Sequence, residues 1–198
     1  MFQSLDWDHG VLVGSSVASE KTAAAEGKTG ELRFDPFAML PFCGYNMGDY
    51  FQHWLDIGKK TSPDKLPKIF HVNWFRKESG KFIWPGFGDN IRVLKWIFER
   101  LEGKTSSQLT PIGYIPSIHE LDTTGLTITS NELQQLLKVD PQAYLQEVNH
   151  VRKYHSQFGN RLPHQLKMEL NHLEERLSTA TIEQVLPENQ KEEAANNA

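Results

Sequence analysis

Residues 68–103, KIFHVNWFRKESGKFIWPGFGDNIRVLKWIFERLEG, constrain the fold more than any other part of the chain. KIFHVNWF (68–75) is rich in β-branched and aromatic residues and predicts a buried strand. RKESGK (76–81) has the composition of a hairpin turn, and FIWPGFGDN (82–90) is an aromatic segment punctuated by glycine. From residue 90 the apolar residues Ile91, Leu94, Ile97, Phe98 and Leu101 recur at the helical period, with Gly103 as the stop signal, which predicts a helix over 90–103. A strand, a turn and an amphipathic helix in direct succession bury their apolar faces together in an α/β arrangement.

The flanking sequence fits that class. GVLVGSSV (10–17) reads as a short apolar strand and LRFD (32–35) as a return strand ended by Pro36. Residues 19–31 are small and polar, and predict a surface loop with a short helical turn. Met47, Tyr50, Phe51, Trp54, Leu55 and Ile57 mark an amphipathic helix with Gly58 as its C-cap, and 59–67 is a connecting loop. Residues 104–130 read as a long loop around LTPIGYIP. Three helices are expected at about 130–138, 140–158 and 163–178, the second opened by Asp140 and Pro141. The divisions expected are 1–128, then 129–178, then a disordered tail over 179–198.

Charge and composition exclude several classes of function. The net charge of -4 argues against nucleic-acid binding, which calls for a basic face. No apolar run approaches the ~20 residues of a membrane span, and MFQSLDWDHG lacks the pattern of a secretory signal. The single cysteine, Cys43, has no partner for an internal disulfide, so the expected setting is cytoplasmic. Without a nearby base, Cys43 reads as a small apolar group.

Two segments could carry chemistry. Trp74, Phe75, Phe82, Trp84 and Phe87, with Gly86, Gly88 and Asn90, could sandwich a flat heterocycle, the glycines admitting close backbone approach and the amide reading a polar edge. From pattern alone an aromatic core cluster at a hairpin is the more common origin of such residues, since pockets are few per protein. The segment TAAAEGKT could be a mobile lid or an ordinary exposed loop. Neither GKT triplet is a phosphate-binding P-loop, because Thr22 and Phe98 stand where that motif needs glycine. His9, His53, His71 and His119 are scattered without metal-ligand spacing and read as structural.

Taken together, HGVLVGSSVASEKTAAAEGKTGELRFDPFAMLPFCGYNMGDYFQHWL, LPKIFHVNWFRKESGKFIWPGFGDNIRVLKWIFER and LTPIGYIP resemble the C-terminal part of GTP-dependent phosphoenolpyruvate carboxykinases. The resemblance implies part of that family's C-terminal nucleotide-binding domain, a mixed sheet with flanking helices, followed by an α-helical C-terminal region. It implies conversion of oxaloacetate and GTP to phosphoenolpyruvate, CO2 and GDP in gluconeogenesis, with Mn2+ and a nucleotide-bound Mg2+, in a cytoplasmic and usually monomeric enzyme. By position, Phe75, Phe82 and Phe87 match the family's guanine-stacking rings and Asn90 its guanine-reading asparagine, with Gly88 and Asp89 between them. Residues from Lys21 to Glu31 match its Ω-loop lid, with Ala23, Ala24 and Ala25 in the middle and Glu26 and Gly27 after them. Ala18 stands where some members carry arginine at the lid hinge.

The family's P-loop, metal ligands and substrate-holding arginines lie upstream of the matched segment, so this chain is expected to contain no catalytic or metal-binding residue. It is expected to be a fragment, inactive alone, arising from a truncated gene, a misplaced start codon or a partial assembly. A protein-interaction module reusing this half-domain, or a stand-alone purine-nucleotide binder, are the alternatives.

Overall fold

The computed structural model describes residues 1–20 and 32–185. Its strands are β1 (Phe2–Gln3), β2 (Ala18–Glu20), β3 (Leu32–Phe34), β4 (Phe70–His71), β5 (Lys77–Glu78), β6 (Lys81–Phe82), β7 (Gln108–Thr110) and β8 (Gly113–Ile115). Its helices are α1 (Trp7–Ser15), α2 (Met47–Gly58), α3 (Asn90–Leu101), α4 (Ser130–Leu137), α5 (Pro141–Ser156) and α6 (His164–Val185). The α/β class expected from sequence is the class observed. The chain forms two compact units, one of Met1–Gly10 with Leu66–Val139 and one of Val11–Lys65 with Asp140–Ala198.

The first unit is built on a four-stranded sheet of order β4-β1-β8-β7, whose pairings are all antiparallel. Its core gathers Trp84, Val93, Trp96, Leu121 and Leu133, with Phe70, Val72 and Trp74 packed against them. The loop expected over 104–130 holds the β7–β8 hairpin instead. The Pro-Ile-Gly turn hides its strand signal, because proline reads as a breaker. Gly113 is obligatory there: its φ is 127°, and a Cβ would lie 2.3 Å from the Gln3 carbonyl oxygen. The predicted eight-residue strand at 68–75 shrinks to β4, which is half-buried, since the following residues leave the sheet for the turn that presents Phe75.

The second unit packs α2, α5 and α6 around Met47, Phe51, Leu55, Val148, Phe158, Leu162, Leu166, Leu170 and Leu177. Asn46 caps α2 by accepting from the Gly48 amide at 2.8 Å, and its Nδ2 donates to the Phe158 carbonyl. Gly48 lies so near the Arg161 carbonyl that a Cβ would meet its oxygen at 2.5 Å. Asp140 caps α5, as the start signal in the sequence requires, and Thr129 forms a capping box with Glu132 on α4. Helix α2 runs through Gly58, with Lys59 as its cap. Helix α6 continues to Val185, beyond residue 179 where the tail was expected to start.

Residues 10–17, expected as a strand, lie mostly in α1. The Asp6 carboxylate accepts from the His9 amide at 2.8 Å and starts the helix, overriding the β preference of Val11 and Val13. The α1 residues His9, Gly10, Val11, Leu12 and Ser15 are all buried, so no polar face betrays the helical period.

Candidate functional site

The aromatic segment divides into a buried half and an exposed half. The indole of Trp84 is 4% exposed and belongs to the core, and Trp74 packs against that core. Phe75, Phe82 and Phe87 are 70%, 55% and 98% exposed. The reading as a core cluster therefore holds for Trp74 and Trp84, while Phe75, Phe82 and Phe87 stand outside that core.

The exposed rings are held by local geometry. Ser79 and Gly80, at φ 49° and 80°, close the β5–β6 hairpin, and two successive positive φ values are what a tight hairpin turn of the primed type needs. Phe82 pairs across the hairpin with Lys77, whose ammonium stands 4.7 Å from the ring centroid. The Phe75 amide donates to the Asn73 side chain at 2.9 Å, and its ring meets Phe82 at 6.1 Å and 61°. Arg76, between them, donates to the carbonyls of Leu136 and Lys138 at 3.1 and 2.8 Å. It fastens the hairpin to the C-terminal end of α4, where a cation and a donor are both favourable. Sequence reasoning did not single out Arg76, since nothing local distinguishes it from the turn's other charged residues.

Phe87 lies on a short turn after Gly86, itself at φ 76°. Its own φ of 43° is left-handed, a conformation that costs a non-glycine residue roughly 1–2 kcal/mol. Gly88 is exposed, and open space surrounds the position of a Cβ. Asp89 and Arg92 are paired at 3.0 Å, and Arg92 also reaches the Asp122 carbonyl at 3.1 Å. The Thr124 amide and the Lys95 ammonium hold the Asp122 carboxyl down at about 2. Asp89 thus secures the turn to the start of α3 rather than standing free.

Asn90 opens α3, half-buried, and its Oδ1 accepts from the Trp84 indole at 2.9 Å. An indole N–H can only donate, so this bond fixes which end of the amide is oxygen. Among the described residues nothing accepts from the Nδ2, and the oxygen keeps a second lone pair. The amide thus offers a donor and an acceptor side by side.

The family model of the phosphoenolpyruvate carboxykinase C-terminal P-loop domain, the GTP-dependent type, matches residues 1–176. The chain belongs to this family. It is similar to the GTP phosphoenolpyruvate carboxykinase of Neocallimastix frontalis, with 60% identity over 181 residues, which is 91% of this chain and 30% of that protein. The GTP phosphoenolpyruvate carboxykinase of Chlamydia muridarum is 52% identical over 179 residues, 89% of this chain and 30% of the relative. The chain therefore spans about 30% of the length of the curated carboxykinases it matches.

The remaining expectations from the family resemblance meet the structure unevenly. Lys21, Ala23, Ala24, Ala25, Glu26 and Gly27 lie outside the described residues. Among the described residues there is no group of three histidine, cysteine or acidic side chains that could hold a metal ion. No described helix is long and apolar enough to cross a membrane. His9 is buried and accepts from the Leu5 amide, His71 stacks on Phe2, and His53 and His119 are exposed. Cys43 is half-buried.

Proposed function

We propose that this chain supplies the guanine-binding face of a GTP-dependent phosphoenolpyruvate carboxykinase, which converts oxaloacetate and GTP to phosphoenolpyruvate, CO2 and GDP. The observation that supports it best is the exposure of Phe75, Phe82 and Phe87 beside an amide with spare hydrogen-bonding capacity. Rings of that size normally gain by burial, at ~25 cal/mol per Å². A hairpin and a strained turn that hold them in water leave that gain to a flat ligand. Guanine suits the amide: its O6 accepts from Nδ2 and its N1–H donates to Oδ1, while adenine presents the opposite polarity at the corresponding edge.

In this reading the chain's residues bind and orient. The rings stack on the base, Asn90 selects it, and Gly88 lets it approach the backbone. Residues from Lys21 to Glu31 are assigned by resemblance to the flap that closes over the enolate left by decarboxylation, keeping it from water so that it takes the γ-phosphoryl group rather than a proton. Bound metal ions would supply charge neutralisation of the phosphates, from ligands in the rest of the polypeptide. Catalysis by positioning and electrostatics needs those ligands, so the 198-residue chain alone is expected to be inactive.

The test replaces the 181 matched residues of the Neocallimastix frontalis enzyme with this chain. Phe75→Ala and Phe87→Ala in that chimaera are expected to raise the KM for GTP by roughly tenfold each, with the KM for oxaloacetate unchanged. An unchanged KM for GTP, or a steady turnover by the isolated chain, contradicts the proposal.

A further inference from the structure

Trp84 and Asn90 bracket the turn that carries Phe87 and Gly88, and their side chains meet across it. The Trp84 Nε1–H donates to the Asn90 Oδ1 at 2.9 Å. The indole is 4% exposed and packs in the core with Val93, Trp96, Leu121 and Leu133. A ring packed at that density keeps one position, so its N–H is a fixed donor. An asparagine at the start of a helix ordinarily turns its oxygen to the backbone N–H groups of the first turn. Here Asp89 holds the cap position, no side chain caps α3, and the Asn90 oxygen is given to the indole. The amide is oriented by the core rather than by the helix it opens.

That orientation decides what the amide can read. A carboxamide turned by 180° exchanges its donor and its acceptor at little steric cost, because oxygen and NH2 are nearly the same size. One orientation matches guanine, whose O6 accepts and whose N1–H donates. The other matches adenine, whose N6–H2 donates and whose N1 accepts. An unconstrained asparagine therefore serves either purine. With the indole N–H 2.9 Å from the oxygen, the turned amide would set its own NH2 against a buried donor and leave that donor without an acceptor.

We infer that Trp84 sets the purine specificity of this surface, as a positioning residue that acts through Asn90. Buried in the core, it acts on the base only through the amide, and its contribution is to close the adenine-reading orientation. The inference rests on the guanine-binding reading and adds to it the origin of the choice between the two bases.

The test measures calorimetric affinities for GTP and ATP in the full-length chimaera carrying Trp84→Phe, which keeps an apolar ring and removes the N–H. Affinity for GTP should fall by no more than a few fold while affinity for ATP rises, so that the preference for GTP shrinks roughly tenfold, about what a two-bond contact to a base edge discriminates. Damage to packing alone would weaken both nucleotides together. In an Asn90→Ala background the same substitution should leave the remaining preference unchanged within about twofold, since the bond it removes is already gone. Should Trp84→Phe not fold, benzothienylalanine at position 84, which replaces the N–H with sulfur in a ring of nearly the same shape, decides by the same ratio. An unchanged preference, equal weakening of both nucleotides, or an effect that persists without the Asn90 amide would each overturn the inference. A parent chimaera with no preference for GTP would overturn it together with the guanine-binding reading, whereas a parent preference that survives loss of the indole N–H overturns this inference alone.

Discussion

Helices α2 and α3 are each 12 residues long and show equally clear apolar periodicity, yet they use it in opposite ways. In α2 the stripe read from sequence is the buried one: Met47, Phe51 and Leu55 are 3%, 0% and 1% exposed. In α3 most of the stripe read from sequence is exposed, and the core is met by Val93 and Trp96 instead. Periodicity identifies a helix in both cases. It names the side facing this chain's own core only when the opposite side is polar, and α3 has no wide polar side.

The largest expected effect sharpens that contrast. Phe51→Ala should cost about 3–5 kcal/mol in the isolated chain by leaving a cavity, while Phe98→Ala should stay within roughly 0.5 kcal/mol. Denaturant unfolding of both variants checks it, and equal losses would break the comparison.

The unit that holds α2 also buries His155 at 2% exposure, with neither ring nitrogen hydrogen-bonded. Burial pushes its pKa from 6.5 down to about 4. Between those values the unfolded chain binds the proton more readily, so stability should fall as the pH drops from about 6.5 towards 4. The full loss, below about 4, is on the order of 3 kcal/mol. Equilibrium unfolding across that range should show the slope, and His155→Phe should flatten it.

The helix starts give the smallest effect. Asn46→Ala removes a side-chain cap from α2 and should cost about 1 kcal/mol. Asp89 makes no capping bond at α3 and only a partly exposed ion pair, so Asp89→Ala should cost less, by the same unfolding measurement.

Much of this was legible in advance because it is local. The hairpin at Ser79 and Gly80, the cap at Asp140 and the existence of α2 and α3 each depend on residues close in sequence. What was hidden depends on distant partners. The β7–β8 hairpin is completed by β1, at the opposite end of the first unit's sequence, and α1 is buried on several sides by residues far along the chain. The candidate site shows the same division. The ring types at Phe75, Phe82 and Phe87 are visible in the sequence, but the withdrawal of Trp84 into the core follows from its packing with Val93, Trp96, Leu121 and Leu133.

The most direct measurement is calorimetric titration of GTP and ATP into the full-length chimaera with and without Phe87→Ala. The expected result is tighter binding of GTP than of ATP, with GTP affinity lowered roughly tenfold by the substitution and Tm almost unmoved, since the ring is 98% exposed. Equal affinity for the two nucleotides, or GTP affinity indifferent to the loss of the ring, would contradict a base-binding role for this surface.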